Sequence, residues 1–272
     1  QNTQIEYQHK LIEIKNKEIT DSIFYAKNIQ TSLIPTKQDF EKYFEESFIL
    51  FKPKDIISGD FYWISEKENK IIFVTADCTG HGVPGGCMSM RGISLLNEII
   101  NEYALTEPAL VMSKLRKKVI TSLKQKGISG EHQDGMDLTL MVIDKKDSSM
   151  VYSSANHTFY LLRKNGNNTY ELKQFKGDKQ PVGIYGAKLR PFSQTEVKLQ
   201  KGDLLYTFSD GYADQFGGPH GKKFKYKQLQ QVLLGIAHLP MEEQSGLLNK
   251  ILVSWQGNME QVDDIVVVGI KI

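Results

Sequence analysis

What most limits the fold of this chain is that its apolar runs come in pairs around short polar turns. Phe61–Ile64 and Ile71–Thr75 flank Glu66–Lys70, and Leu138–Ile143 and Met150–Ser154 flank Asp144–Ser148. Each pair reads as a hairpin. Further strand-like runs fall at Ser47–Lys52, Phe159–Arg163, Tyr170–Phe175, Thr195–Leu199, Leu204–Ser209 and Ile265–Ile270. Between the hairpins lie two helical patterns. Gly86–Glu102 carries Met90, Ile93, Leu96 and Ile100; Leu110–Lys126 carries Val111, Leu115, Val119 and Leu123. A short acidic helix is expected at Gln38–Glu46, and helices again at Gln228–Ile236 and Met241–Trp255. Hairpins around an inserted helix pair predict an α+β fold, with two antiparallel sheets packed face to face as a β-sandwich and helices outside.

Residues 1–34 stand apart, being polar and free of Gly and Pro. Ile5, Ile12, Ile19, Ala26 and Leu33 recur every seventh residue until Pro35 ends the run. That is a helix-packing seam. Its companion seam is poor, because Ile23 fits it while His9, Asn16 and Gln30 do not. Two readings stay open: a helix packed on its own domain, and a dimerising helix that passes on the state of an upstream sensor. The expected organisation is a helical linker over 1–36 and one larger domain over 37–272.

Composition removes several function classes. A net charge of +2 gives no electrostatic case for nucleic acid or an anionic membrane. Cys78 and Cys87 form no C-x-x-C pair and suit reduced thiols in a reducing compartment. No apolar stretch approaches the ~18–20 residues of a membrane span. The chain opens on Gln1, so it reads as a cytoplasmic piece of a longer protein, with a sensor or a membrane anchor expected upstream.

Four segments share one grammar, an apolar strand ending on or starting beside an Asp: ISGDF around Asp60, VTADC around Asp77, FSDG around Asp210 and VDDI around Asp263 and Asp264. One such Asp is ordinarily a turn or cap residue. Four carboxylates brought together repel unless a cation lies among them, and no Arg or Lys flanks the motifs closely. Oxygen-only ligands suit Mg²⁺ or Mn²⁺ over zinc. After Asp77, four glycines fall within nine residues, a density that lets backbone approach something closely.

In this order, SGDF, ADCTGHGVPGG, SDG and DDIVVVGI resemble the metal-dependent protein phosphatases of the PPM (PP2C-like) type, and among them the bacterial SpoIIE/RsbU-like branch, over roughly residues 45–272. The resemblance implies two Mn²⁺ or Mg²⁺ ions, with a third, weaker site in some relatives. It also implies hydrolysis of phosphoserine or phosphothreonine by a metal-activated water. Carried over by motif, Asp77 bridges the two ions, the Cys78 backbone carbonyl ligates the second, Asp210 and Asp263 ligate the first, and Asp60 lies beside the metals, acting directly or through their water; Asp60 and Asp77 are the implied catalytic pair. Asp264 is assigned to the rim.

The resemblance leaves other residues with two readings each. His81 reaches the phosphate or shapes its loop. Asp134 is an extra, weak ligand or a turn residue, and Asp137 stands where relatives carry an apolar or small residue. His157 follows Asn156 where relatives have Gly. Gln215–Gly221 is expected to be a flexible loop, and Arg91 faces either the site or solvent. The implied partner is a phosphorylated regulator of the anti-sigma-factor-antagonist kind. The implied assembly is a homodimer through residues 1–34, which would couple dimerisation to site assembly. The alternative is a silent phosphatase-like module that holds a phosphoprotein without turnover.

Overall fold

A computed structural model describes residues 2–128, 133–184 and 189–272. In chain order it runs α1 (Asn2–Leu33), α2 (Lys37–Glu41), β1 (Glu46–Lys52), β2 (Phe61–Lys67), β3 (Lys70–Cys78) and α3 (Gly82–Leu96), continued by a π-helical turn over Asn97–Glu102. Then come α4 (Pro108–Ser122), β4 (Met136–Asp144), β5 (Ser149–Ala155), β6 (Thr158–Lys164), β7 (Tyr170–Lys176), β8 (Thr195–Lys198) and β9 (Leu204–Phe208). Last are α5 (Gly211–Asp214), the two-residue strands β10 (Phe216–Gly217) and β11 (Lys222–Lys223), α6 (Tyr226–Ile236), α7 (Met241–Gln256) and β12 (Ile265–Lys271).

Two five-stranded sheets form, β1-β12-β9-β6-β7 and β2-β3-β4-β5-β8, and neighbouring strands in both are antiparallel. This is the expected α+β sandwich. The β2–β3 hairpin closes through Glu68 and Asn69, both at positive φ (52° and 64°), the two-residue turn whose twist matches the strands.

Alternation along the strands explains the layering. On β3, Ile71 and Phe73 point between the sheets with Met141, Phe159, Val266 and Val268. Ile72 and Val74 point outward onto Ile93 and Leu96 of α3 and Val111 and Leu115 of α4. On β12, Ile265 and Val267 face outward onto Leu229 and Leu233 of α6 and Leu248 and Leu252 of α7. The central strands read as continuous apolar runs because both their faces are covered.

Two expectations need correction. The acidic helix is confined to Lys37–Glu41, capped by Thr36 with a reciprocal Asp39 contact; the chain then leaves it to pair Glu46 with Lys271 in the sheet. Gln215–Gly221 is not a free loop. It begins the β10–β11 hairpin, whose Gly218 N–H donates to Trp255 O of α7 at 2.7 Å.

Helix α1 is one unbroken rod. Ile5, Ile12 and Ile19 are exposed along it, while Ile23, Ala26 and Gln30, at helical spacing, turn toward the domain. Among the described residues, no helix is long and apolar enough to cross a membrane.

Candidate metal centre

The two sheets bring their acidic ends to one place. Asp60 precedes β2, Asp77 is the penultimate residue of β3, and Asp137 on β4 is its register partner. From the other sheet, Asp210 follows β9 and Asp263 precedes β12 by two residues. Asp77, Asp137, Asp210 and Asp263 line a cavity of about 380 Å³, with Cys78 and His81 on its wall. Asp60 lies buried behind it, 2% exposed.

The glycines make this approach feasible. A Cβ on Gly59 or Gly85 would stand 2.5 or 2.2 Å from the carbonyl oxygen of Gly80, and one on Gly211 would stand 2.0 Å from that of Asp264. These distances fall below any real Cβ contact, so side chains there would force the Asp-bearing loops apart. Of the four glycines after Asp77, Gly85 packs against backbone and Gly86 against the Ile57 side chain, while Gly80 and Gly82 supply positive φ (82° and 63°).

Electrostatically the cluster is uncompensated. Burial, then the charges of Asp264, Asp263 and Asp210, push the Asp60 carboxyl well above the usual range, against a hydrogen bond from Ser209. Its Oδ2 is buried without a partner. Burial and the neighbouring Asp60, Asp210, Asp263 and Asp137 push Asp77 up as well. Asp210 is raised to about 6 by burial and by Asp263 and Asp214. Burial also raises Asp137, opposed by Asn156 Nδ2 donating to its Oδ1 at 3.0 Å. No salt bridge joins these carboxylates to a Lys or Arg among the described residues. Burial holds the Cys78 thiol protonated by raising its pKa, which leaves its carbonyl as that residue's hard donor.

The donor set therefore fits a hard divalent cation: oxygen donors, like charges within reach of one another, and a buried orphan oxygen on Asp60. Among the described residues, no three His, Cys, Asp or Glu side chains close around a single point. The described residues thus form no closed cage for one ion, and the donor set suits a cation that keeps water in its coordination shell, as Mg²⁺ does.

The remaining sequence candidates separate clearly. His81 is on the cavity wall, with Nδ1 2.7 Å from Asp55 Oδ2. Asp264 is buried rather than on the rim: its two oxygens accept the backbone N–H groups of Lys54 and Gly59, each at 2.7 Å. Asp134 does not line the cavity, whereas the neighbouring Gln133 and Asp137 do. His157 is buried beside Thr139, with Nδ1 2.8 Å from Oγ1, and does not line the cavity. Arg91 is exposed, near Glu98 rather than the site.

Sequence reasoning missed the residues that hold the loops carrying the candidate ligands. Ser209 Oγ accepts from Val266 N–H at 3.1 Å and bonds Asp60. Gln215, fully buried, donates to Glu260 O and accepts from Val262 N–H, fixing the approach to Asp263. Arg116 of α4 bonds Gln180 Oε1 and Arg190 O and stacks on Phe192, 4.4 Å from the ring centroid; it thereby anchors the loop whose Pro181 and Ile184 complete the cavity wall. All are contacts between distant segments, which no local pattern signals.

The profile of the family described as Stage II sporulation protein E (SpoIIE) matches residues 67–272. The phosphoserine phosphatase RsbU of Bacillus subtilis (strain 168) is 28% identical over 210 residues, which is 76% of this chain and 58% of that relative. The chain thus spans less than two thirds of the relative's length. Among solved structures, the SiaA-PP2C domain of Pseudomonas aeruginosa is similar at a TM-score of 0.83 and 28% identity, over 95% of this chain and 98% of that one. The PP2C phosphatase domain of SpoIIE from Bacillus subtilis, solved with a fragment of its regulatory domain, shares the fold at a TM-score of 0.64 and 18% identity, over 83% of this chain and 62% of that one. A sandwich closed by acidic strand ends, matched by the family profile over three quarters of its length, places the chain in the SpoIIE family of PP2C-type serine phosphatase domains.

Proposed function

We propose that this chain is a Mn²⁺- or Mg²⁺-dependent protein serine/threonine phosphatase that hydrolyses phosphoserine or phosphothreonine on a regulatory protein, as the output domain of a larger signalling protein. One observation carries the reading. Asp77, Asp137, Asp210 and Asp263 line a single cavity over a buried Asp60, and among the described residues no Lys or Arg forms a salt bridge with them. Such a cluster is costly to fold unless divalent cations neutralise it.

Asp77, Asp210 and Asp263, the Cys78 carbonyl, and Asp60 directly or through water, would hold the ions. When bound, the ions supply a water acidified to near-neutral pKa and a clamp for phosphoryl oxygens. The chain's own residues do the rest. Ser209 and Gln215 hold Asp60 and the Asp263 loop in place, and the Pro181–Ile184 wall bounds the space beside the phosphoryl group. RsbU is named a phosphoserine phosphatase, which supports phosphoserine as the substrate group; the motif resemblance adds a regulator of the anti-sigma-factor-antagonist kind as its carrier.

The exposed Ile5, Ile12 and Ile19 on α1 support homodimerisation through residues 1–34. Light scattering of the chain with and without those residues tests it. Sensor input from an upstream segment would then act through α1.

The test of activity is release of phosphate from a phosphoserine peptide with Mn²⁺ and with chelator, for the wild-type chain and Asp77→Asn. Metal-dependent turnover lost by at least about 100-fold in the variant supports the reading. Peptide binding without turnover, in the chain with and without residues 1–34, replaces it with the silent module; the lack of a closed single-ion cage is the observation that favours that alternative.

A further inference from the structure

The cavity is lined by carboxylates, yet the substrate proposed for it is a phosphate monoester dianion. A cationic side chain facing the incoming phosphoryl group would offset that charge, and two basic residues nearby are otherwise placed. Arg91 is exposed beside Glu98, and the Lys223 ammonium, near Asp210, is taken by Asp214 at 2.7 Å.

Lys54 is held differently. Its backbone N–H donates at 2.7 Å to Asp264, the same buried carboxylate that holds Gly59 beside Asp60. Its Nζ lies 3.0 Å from Nε2 of His81, and His81 is part of the cavity wall. An ammonium only donates, so Nε2 accepts and the ring proton sits on Nδ1, pointing to Asp55 Oδ2 at 2.7 Å. The order Asp55–His81–Lys54 is a relay with fixed donor sense. The base of Lys54 is tied to the floor of the site and its tip to the wall. Its first partner is a neutral imidazole, so its charge is not cancelled at contact as that of Lys223 is. Two of its three N–H groups remain for a ligand.

We propose that Lys54 grips the non-bridging oxygens of the substrate's phosphoryl group at the mouth of the cavity, with His81 and Asp55 as its positioning residues. This rests on the phosphate-monoester reading of the site. Lys is an effective phosphate binder as a point charge, through short charge-assisted hydrogen bonds. A contact made equally in ground and transition state changes KM and leaves kcat in place.

The probe is inorganic phosphate, titrated calorimetrically into the Mn²⁺-loaded full chain, alongside KM and kcat for p-nitrophenyl phosphate. Variants are Lys54→Met, Lys54→Arg and Asp55→Asn. The Lys54 side chain is partly exposed and its backbone bond survives substitution, so folding is preserved; Mn²⁺ binding, measured separately, should match wild type throughout. Lys54→Met should weaken phosphate binding about 10-fold and raise KM similarly, with kcat within about 2-fold. Lys54→Arg should restore most of the affinity, and Asp55→Asn should lose about 3-fold through a looser relay. Unchanged phosphate affinity in Lys54→Met, with wild-type turnover intact, overturns the inference and leaves the phosphatase reading standing. Phosphate binding that depends on Lys54 in a chain without turnover does the reverse. No phosphate binding by the Mn²⁺-loaded wild type sinks both.

Discussion

Gln30 pairs both ends of its amide with the backbone of Ser58: Nε2 donates to Ser58 O at 2.6 Å, and Oε1 accepts from Ser58 N–H at 3.1 Å. Nε2 also reaches Ser89 Oγ of α3 at 2.7 Å. Gln30 is the buried residue among the described side chains of α1, and Asp60 follows Ser58 by two residues. The N-terminal helix, the loop leading to Asp60 and the helix behind the glycine-rich turn are thus joined at one point. A displacement of α1 would pull directly on the loop that carries Asp60.

Replacing Gln30 with Leu should therefore do more than loosen α1. It strands the buried Ser58 N–H, while the Ser58 carbonyl keeps the Ser89 hydroxyl donating at 2.9 Å; the cost is about 1–3 kcal/mol in unfolding free energy. We expect a lower denaturant midpoint and faster amide exchange at Ser58–Asp60, read by mass spectrometry. Unchanged exchange there would remove the mechanical link between α1 and the site.

Asp210 tests the cation requirement through stability. Its carboxyl is raised to about 6 by burial first and Asp263 second. For an acid with a raised folded pKa, the folded state keeps its proton while the unfolded state has lost it. Stability is unaffected below about pH 4, falls as pH rises toward 6, and stays reduced above, by up to about 3 kcal/mol. Asp210→Asn should thus raise the Tm of chelator-treated protein at pH 7 and leave it unchanged at pH 4. Mn²⁺ should stabilise wild type more than the variant.

His157 carries the opposite slope. Burial lowers its pKa to about 4, with the Phe208 carbonyl opposing. The folded state then holds it neutral while the unfolded state takes a proton below about 6.5. Its contribution is complete above that pH and is lost as pH falls toward 4, by up to about 3 kcal/mol. His157→Gln should flatten this acid limb of the stability curve, measured by urea unfolding between pH 4 and 7.

Gly211 tests the close packing under the site. A methyl there would lie 2.0 Å from the Asp264 carbonyl oxygen, and backbone cannot swing aside as a side chain can. Gly211→Ala should cost at least about 3 kcal/mol and weaken Mn²⁺ binding in whatever fraction folds. Gly235→Ala, with nothing within 4 Å on α6, is the control and should be neutral or stabilising.

Paired apolar runs determined the hairpins, and with them an antiparallel sandwich, because strand pairing across a short turn is local. The same runs showed that the central strands are covered on both faces, since Ile71-Ile72-Phe73-Val74 leaves no polar side for water. The motif aspartates were legible for a related reason: each sits where a strand ends, and an unpaired carboxylate beside bare backbone stands out in sequence. What only the tertiary structure decided is which carboxylates share a cavity and what holds them there. Asp137 joins Asp77 through strand register, Asp264 is consumed by the backbone of Lys54 and Gly59, and Gln30, Arg116 and Gln215 act on loops 28 to 74 residues away. Those bonds are specified by the three-dimensional meeting of distant segments, and a polar side chain buried for such a bond looks in sequence like any other surface residue.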